Sequence, residues 1–287
     1  MRYEKPTTIE AATALLASAG AEARVLAGGT DLLVQMRSRV LSPAVVVDIK
    51  GIEETRRITK EANGGYRIGA AVTGAELKEH PTLSKDWPGL IEAANLIGST
   101  QVQGRASLGG NLCNGSPAAD SVPGLIAASA KAVIAGPSGQ RELPVEDIML
   151  APRKLALTKG EFIVAFKLPA KAAHSSDAYL RFIPRTEMDI AVVGCGIALT
   201  LDGSGTCTAA RVSLGAVAAR PLLVEDAAKA LIGSKVDEPA LAKLEAAARA
   251  ACKPIDDKRG TIEFRIDVAG VLARRTALIA LERARKA

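Results

Sequence analysis

The segment SLGGNLCNGSPAADSVP, residues 107–123, interrupts a chain that is otherwise rich in alanine and leucine. It holds three glycines, two asparagines and two prolines between two apolar stretches. Glycine favours tight turns and proline lacks a backbone N–H group, so the segment is predicted to form neither helix nor strand. A long irregular segment inside a compact domain is more often functional or disordered than neutral, and the rest of the chain has to decide which applies.

The composition is that of an ordinary globular protein, with 48% hydrophobic and 24% charged residues in 287. A chain of this length can bury a substantial core and is predicted to divide into two or three subdomains. Aromatic residues make up only 3%, which disfavours the stacking surfaces that bind single-stranded nucleic acid. The net charge of +6 is interpreted as a solvated basic face near the C-terminus, with a docking surface for an acidic protein as the alternative. No nucleic acid partner is expected.

The cysteines and the apolar runs point to one compartment. Cys113, Cys195, Cys207 and Cys252 are far apart in the sequence, which predicts reduced thiols and no metal or iron–sulfur site in this chain. The N-terminus has no apolar core of a secretion signal, and the longest apolar run, residues 190–201, is too short to span a bilayer. A cytoplasmic protein without a transmembrane segment is therefore expected.

Histidine chemistry is sparse in this chain. His80 and His174 are its only histidines, and both lie in sequences typical of loops. No Ser–His or Cys–His arrangement is recognisable, so a self-contained hydrolase is disfavoured. Any enzymatic chemistry is expected to come from a bound cofactor.

The hydrophobic pattern predicts an α+β protein. Residues 23–50 read as a strand–loop–helix–strand unit, and residues 59–170 contain shorter elements. The small polar stretch KAAHSSDA, residues 171–178, is a candidate domain boundary. The predicted strands are 23–27, 44–50, 66–73, 131–136, 161–169, 189–201 and 208–217, and the last three helices are predicted at 222–232, 237–252 and 263–286.

The stretch VLAGGTDLL, residues 25–33, places two glycines between a predicted strand and a helix. This leaves free N–H groups and the positive end of a helix dipole, and the missing side chains of Gly28 and Gly29 allow a ligand to approach the backbone. Such an arrangement suits a pyrophosphate. The alternative is a tight turn in which Thr30 or Asp31 only caps the helix.

A second glycine pair lies in the segment quoted first. Gly109 and Gly110 are followed by the amide of Asn111 and preceded by Ser107, and Asp120 could accept hydrogen bonds from sugar hydroxyls. The structural alternatives are a turn residue at Asn111 and a helix N-cap at Asp120 or Ser121. Two loops that are both suited to phosphate binding are typical of a dinucleotide site, for either flavin adenine dinucleotide (FAD) or a nicotinamide dinucleotide.

A Rossmann unit is the competing interpretation of the N-terminal third. Asp48 ends a predicted strand about twenty residues after the glycines, where a ribose-binding acid is expected. The Rossmann fingerprint needs three glycines as G-x-G-x-x-G, however, and only a pair is present before Thr30. Asp48 is better explained as an ordinary residue at a strand end.

Two motifs carry a family resemblance. LAGGTDLLVQMR (26–37) and ASLGGNLCNGSPAADSVP (106–123) together resemble the FAD-binding medium subunit of the molybdenum hydroxylases, the xanthine dehydrogenase and carbon monoxide dehydrogenase family. The likeness runs nearly end to end. Its further segments are RELPVEDIML (141–150), GEFIVAFKLP (160–169), RTEMDIAVVG (185–194) and LARRTALIALERA (272–284).

The resemblance implies an α+β fold in two parts. Residues 1–172 would form an FAD-binding domain of the vanillyl-alcohol-oxidase (PCMH) type, with a small α/β subdomain at about 1–55 and a mixed-sheet subdomain at 56–172. Residues 173–287 would form the C-terminal domain of antiparallel strands and helices found in the flavoprotein of carbon monoxide dehydrogenase.

It also implies site residues, all of them for FAD and none catalytic or metal-binding. Residues 25–31 would contact the diphosphate, the segment around Gly110 would complete the cradle, and Asp120 would face ribityl or ribose hydroxyls. Ile97 would pack on the flavin, Ile163 near the adenine, and Arg181 near the flavin, where some relatives have lysine. The implied residues are Val25, Leu26, Ala27, Gly28, Gly29, Thr30, Asp31, Ile97, Ser107, Gly109, Gly110, Asn111, Asp120, Ile163 and Arg181.

The implied function is electron transfer. A large subunit with the molybdenum cofactor would oxidise the substrate, and [2Fe–2S] clusters on a small subunit would pass electrons to the FAD of this chain and on to an acceptor. A dimer of such heterotrimers is implied. Thr30 and Asp31 replace a His–Ser pair of carbon monoxide dehydrogenases, so the substrate stays open. The alternatives are a stand-alone NAD-dependent dehydrogenase and a non-catalytic assembly protein of the same fold.

Overall fold

The computed structural model describes residues 1–287, and its first part is built on a small parallel sheet. The elements are β1 (Arg2–Glu4), α1 (Ile9–Ala19), β2 (Ala23–Leu26), α2 (Leu32–Arg37) and β3 (Val45–Asp48). The strand order is β1-β3-β2, and both neighbouring pairs are parallel. The central strand β3 is buried along its whole length, as expected of a β-branched run covered on both faces.

The middle part contains a five-stranded sheet in the order β4-β5-β10-β6-β7. Its strands are β4 (Ile58–Lys60), β5 (Tyr66–Gly69), β6 (Lys131–Gly136), β7 (Gly139–Pro144) and β10 (Phe162–Leu168), and a separate two-stranded sheet pairs β8 (Met149–Ala151) with β9 (Lys154–Leu155). All neighbouring pairs of the large sheet are antiparallel, whereas the resemblance implied a mixed sheet here. The reason is connectivity: short turns join β4 to β5 and β6 to β7, and β10 runs antiparallel to both of its neighbours.

Six short helices cover this sheet: α3 (Gly74–Glu79), α4 (Leu83–Asp86), α5 (Pro88–Ala94), α6 (Thr100–Gln103), α7 (Leu108–Cys113) and α8 (Ser121–Ala127). The prediction that residues 107–123 lack regular structure is therefore wrong. Ser107 begins α7 by accepting a hydrogen bond from the Gly110 N–H at 3.2 Å, the usual role of serine at an N-cap. Gly109 permits that helix to pack directly on the backbone of Ala70.

The C-terminal part is an antiparallel sheet backed by helices. Its elements are β11 (Ser175–Phe182), β12 (Val193–Leu201), β13 (Cys207–Gly215), β14 (Leu222–Leu223), α9 (Glu225–Leu231), α10 (Glu238–Ala251) and α11 (Ile262–Ala284). The strand order is β11-β12-β13-β14. The two strands and three helices predicted beyond residue 188 are confirmed, but β11 begins inside the polar stretch 171–178. No helix of the protein combines the length and the apolarity needed to cross a bilayer.

The middle and C-terminal parts are joined by a polar contact. Helix α5 lies so close to β11 that a side chain at Gly89 would overlap the backbone of Ala178. Asp177 accepts a hydrogen bond from the Leu90 N–H at 2.8 Å, and Glu92 accepts one from the Tyr179 N–H at 3.1 Å. These bonds fix the two parts to each other.

Candidate functional site

A cleft of about 730 Å³ lies between the first sheet and the middle part. One wall comes from residues 16–49 and the other from residues 70–163, and no residue of the C-terminal part lines it. Its volume falls within the range of roughly 300–1,000 Å³ that is usual for small-molecule and cofactor sites. The cleft is therefore large enough for a substantial ligand.

The loop after β2 offers unpaired hydrogen-bond donors to this cleft. The backbone N–H groups of residues 28–32, five in a row, donate to no other group of the chain, and all five residues line the cleft. Folded chains pair nearly all of their buried backbone donors, so a run of free N–H groups in a concavity is typical of an anion site. The capping alternative is not observed, because the side chain of Asp31 makes no cap hydrogen bond.

Two glycines shape this loop for different reasons. Gly28 is buried, and a Cβ atom there would overlap the carbonyl oxygen of Arg105. Gly29 has φ of +82°, a backbone conformation that side chains disfavour. Beneath the loop, Leu26 contacts Gly29 with its side chain and does not line the cleft.

The second glycine segment uses its N–H groups inside the chain. The Gly109 N–H donates to Ala70 O at 3.1 Å, and the Asn111 N–H donates to Ser107 O at 2.9 Å. The Asn111 side chain is also occupied, because its Oδ1 accepts hydrogen bonds from Ser121. What this segment gives the cleft is space: a Cβ atom at Gly110 would meet only the Ser107 hydroxyl, at 3.2 Å.

The two glycine segments meet at the floor of the cleft. Gly28 lies against the backbone of Arg105 and Ala106, which directly precede Ser107. The Arg105 Nε also donates to Gly28 O at 3.4 Å. Segments that are almost eighty residues apart in the sequence thus border the same space.

The charges of the cleft favour an anionic ligand. The charged side chains that line it are Arg24, Arg153, Lys159, Asp31 and Glu161. Glu161 is paired with Arg141 (Nε–Oε1 2.6 Å), and this hydrogen bond lowers the pKa of Glu161 to about 2. Arg153 and Lys159 make no ion pair, and the Lys159 side chain reaches back over the backbone of Gly20. Arg24 also makes no ion pair, but its guanidinium donates to Ala21 O and Ala23 O, both at 2.7 Å. Two cations, Arg153 and Lys159, are therefore left available against one unpaired carboxylate, Asp31.

Asp48, the acid that a Rossmann unit would use for ribose, is already occupied. Its carboxylate accepts hydrogen bonds from the Lys50 ammonium at 2.7 Å and the Tyr3 hydroxyl at 2.6 Å. Burial raises the pKa of Asp48, but these hydrogen bonds outweigh it and hold the pKa below its usual value. The same Lys50 ammonium donates to Ala27 O at 2.8 Å and supports the glycine loop from behind.

The structure places the fifteen predicted site residues in two groups. All of them line the cleft except Leu26, Asp120 and Arg181. Asp120 and Arg181 form a buried ion pair across the contact between the middle and C-terminal parts (Nη1–Oδ2 2.9 Å), and the Tyr179 hydroxyl donates to Asp120 at 3.2 Å. Arg181 also donates to Leu96 O at 2.8 Å, so it holds the backbone next to Ile97, which lines the cleft.

Several cleft residues were not predicted. Among them are Gln35 and Asn114, whose side chains meet across the cleft, and Arg153 and Lys159 from the segment between β8 and β10. A cation beside the turn glycine Gly160 (φ +86°) is the only local signal that could have indicated Lys159. The others are brought to the site by tertiary contacts alone.

Comparison with known proteins decides the family. Residues 1–171 match the family described as the FAD binding domain in molybdopterin dehydrogenase, and residues 178–280 match the CO dehydrogenase flavoprotein C-terminal domain. The chain belongs to this family. It is an FAD-binding subunit of the molybdopterin dehydrogenases, which are oxidoreductases.

Individual relatives of the molybdopterin dehydrogenase family cover nearly the whole chain. The carbon monoxide dehydrogenase medium chain of Afipia carboxidovorans is 34% identical over 99% of this chain and 96% of its own length. The xanthine dehydrogenase FAD-binding subunit of Escherichia coli O157:H7 is 31% identical over 92% of this chain and 90% of its own. A chain of the Cu,Mo-CO dehydrogenase structure in its cyanide-inactivated form superimposes with a TM-score of 0.94 at 33% identity, covering 99% of this chain and 98% of that one.

The residues of the cleft fit FAD. An FAD molecule carries a diphosphate with two negative charges, and the free N–H groups of residues 28–32 and two unpaired cations are suited to it. The open position at Gly110 leaves room beside them. No group of His, Cys, Asp or Glu side chains in the chain is arranged to hold a metal ion.

Proposed function

We propose that this chain binds one FAD in the cleft, with the diphosphate on the backbone N–H groups of residues 28–32. The observation that carries the proposal is the run of five unpaired donors at a site with two available cations. Neutral, fixed N–H groups hold an anion without the desolvation cost of burying a lysine or arginine. Arg153 and Lys159 then add attraction from the rim.

The predicted residues take distinct roles in this arrangement. Val25, Ala27 and Thr30 form the first wall with the glycine loop, and Gly110 forms the second wall with Ser107, Gly109 and Asn111. Ile97 and Ile163 provide apolar surface for the two ring systems. Leu26 supports the loop from below, and the Asp120–Arg181 pair positions the Leu96–Ile97 backbone from the far side.

In a complex, we propose that this chain is the electron-transfer subunit. Bound FAD would supply one- and two-electron chemistry, and the protein's own residues would bind it, orient it and keep water from it. Electrons would come from [2Fe–2S] clusters on a small subunit and leave to an external acceptor, in a dimer of heterotrimers with a large molybdenum-cofactor subunit. Relatives of this chain are named for carbon monoxide and for xanthine, which supports a substrate site on the large subunit and not on this chain.

Two further predictions stay with this proposal. The cofactor domain would span residues 1–172, with subdomains at about 1–55 and 56–172, and the C-terminal domain residues 173–287. The four cysteines are all free, which fits a reducing cytoplasm.

A nicotinamide dinucleotide is the second candidate ligand, and Asp48 argues against it. The acid that would bind the ribose hydroxyls is engaged by Lys50 and Tyr3 and is 3% exposed. Breaking those bonds would leave the Lys50 ammonium without its carboxylate beneath the loop. FAD needs no such change.

The test is a ligand comparison on the purified full chain. After removal of any bound nucleotide, FAD, FMN and NAD are titrated separately and the bound ligand is quantified after gel filtration. We expect one FAD per chain and an FMN affinity at least about tenfold weaker, because FMN lacks the diphosphate. Equal affinity for FMN, or displacement of FAD by NAD, would overturn the proposal.

A further inference from the structure

Helix α2 covers the cleft without being packed into the protein. None of its residues is buried, and Leu33 and Val34 are 50% and 63% exposed. On its inner side, Leu32 and Gln35 line the cleft. Helical stability in proteins comes mainly from a buried apolar face, which α2 lacks, so its position depends on its few polar contacts.

One hydrogen bond ties α2 to the opposite wall. The Gln35 Nε2 donates to the Asn114 Oδ1 at 2.9 Å, and this is the only hydrogen bond from residues 32–37 to any residue outside 28–41. Asn114 itself is firmly placed at the end of α7, where its N–H donates to Gly110 O at 3.0 Å. The bond therefore connects a loosely held helix to a fixed wall.

The position of α2 is coupled to the donors of the glycine loop. The Leu33 N–H donates to Gly29 O at 3.0 Å, and the Gln35 N–H donates to Asp31 O at 2.9 Å. Because these bonds make the loop and the helix continuous, a movement of α2 also moves the free N–H groups of residues 28–32. A ligand held by those groups would be released when the helix swings away.

We propose that Gln35 and Asn114 form a clasp that holds α2 closed over the dinucleotide and sets its rate of release. The proposal rests on the proposed function, since it takes FAD as the ligand of the cleft. The clasp residues are positioning residues, because they act on the cofactor through the loop. Bound FAD and the closed clasp stabilise each other, since the ligand binds the closed form preferentially.

The test measures FAD release from the purified full chain. Gln35→Met and Asn114→Leu keep the side-chain volume and remove the donor and the acceptor respectively. Each is expected to speed FAD dissociation by about three- to tenfold, the value of one side-chain hydrogen bond. The double variant is expected to be no faster than the faster single variant, because both changes remove the same bond. In the FAD-loaded Gln35→Met protein, amide hydrogens of residues 32–37 should exchange faster than in the wild type.

The control is Ser38→Ala at the end of the same helix, where the hydroxyl bonds only to the α2 carbonyls of Val34 and Gln35. It should leave the release rate unchanged. Gln35→Ala provides a second variant should Gln35→Met fail to fold. Wild-type release rates in the clasp variants, or additive effects in the double variant, would overturn the clasp and leave FAD binding intact. A wild-type chain that binds no FAD would instead overturn the proposed function and the clasp with it.

Discussion

The polar groups of the cleft differ from those of the contact between the middle and C-terminal parts in whether the chain itself supplies their partners. In the cleft, the N–H groups of residues 28–32 donate to nothing in the chain, and Arg153 and Lys159 have no partner. At the contact, Asp120 is paired with Arg181. Asp177 there also accepts a hydrogen bond from the chain.

This difference distinguishes a region suited to ligand binding from a region that serves the fold. Both regions were predicted from the sequence to contact the cofactor, and both contain polar residues that are at least partly buried. The cleft has five consecutive backbone donors that its own chain leaves unused, which is what a site for an anion requires. The contact pairs Asp120 with Arg181 and leaves only isolated buried atoms such as Asp177 Oδ1 without a partner, so its main contribution is to hold two parts of the protein together.

The largest expected effect concerns the floor of the cleft. Gly28→Ala places a methyl group onto the carbonyl oxygen of Arg105, so the two glycine segments must separate. We expect the free energy of unfolding to fall by about 3 kcal/mol or more, within the range of severe steric changes in a core. Urea unfolding of the cofactor-free chain measures this. The matched variant Gly110→Ala needs only a small shift of the Ser107 hydroxyl at 3.2 Å and should lose less than about 1 kcal/mol. Equal stability of both variants would contradict the distinction between floor and wall.

The second prediction concerns Asp177, at the contact between the middle and C-terminal parts, and the pH dependence of the free energy of unfolding. Burial raises the pKa of the Asp177 carboxyl to about 6 from an ordinary 3.8, so the folded state prefers its protonated form. Its contribution to stability is complete below pH 3.8 and is lost as the pH rises through 6. Relative to Asp177→Asn, the wild type should therefore lose up to about 3 kcal/mol of unfolding free energy between pH 4 and pH 7.

Paired denaturant unfolding at several pH values checks the Asp177 prediction. Asp267→Asn, at a side chain that is 76% exposed, reports the effect of removing a surface charge. A difference between wild type and Asp177→Asn that stays constant over this pH range would show that burial at the contact does not raise the pKa of Asp177.

The third prediction concerns a larger side chain at Gly110, in the second wall of the cleft. A Cβ atom at Gly110 meets only the Ser107 hydroxyl, and Gly110 lines the cleft, so the longer side chain of Gly110→Leu should enter the cleft and block FAD without unfolding the chain. We expect at least a tenfold loss of FAD affinity, or about 1.4 kcal/mol, with the melting temperature of the cofactor-free protein unchanged. Gly203→Leu, where a Cβ atom meets nothing within 4 Å, is the control. Full FAD binding by Gly110→Leu would place the ligand elsewhere.

The smallest expected effect belongs to the rim cations. Arg153→Gln and Lys159→Gln should each weaken FAD binding by about two- to fivefold at low ionic strength, as expected of exposed charges near an anion. The difference from the wild type should shrink at 0.5 M salt because the charges are screened. Titrations at the two salt concentrations show this. A loss of FAD affinity that is the same at both salt concentrations would mean that the two side chains act by packing and not by charge.

Elements of the fold that depend on residues close together in the sequence were predicted correctly. The β-branched run before Asp48 gave its strand, and the glycines at 28–29 gave the loop that now presents free donors. The segment 107–123 was misjudged because α7 depends on the Ser107 cap and on the fit of Gly109 against Ala70, a contact across the fold.

Long-range pairs explain what the sequence left unseen. Gln35 meets Asn114, and Arg181 meets Asp120, over separations of 79 and 61 residues. Nothing in the periodicity or spacing of the sequence marks either pair. The resemblance supplied Asp120 and Arg181 as site residues, but their mutual pairing is visible only in three dimensions.

The most direct test of the account is an experimental structure of the chain with FAD bound. We expect diphosphate oxygens within about 3.2 Å of backbone nitrogens in residues 28–32, the distance of an N–H···O hydrogen bond, with the ligand passing beside Gly110. A diphosphate held elsewhere, with those five N–H groups still unpaired, would contradict it.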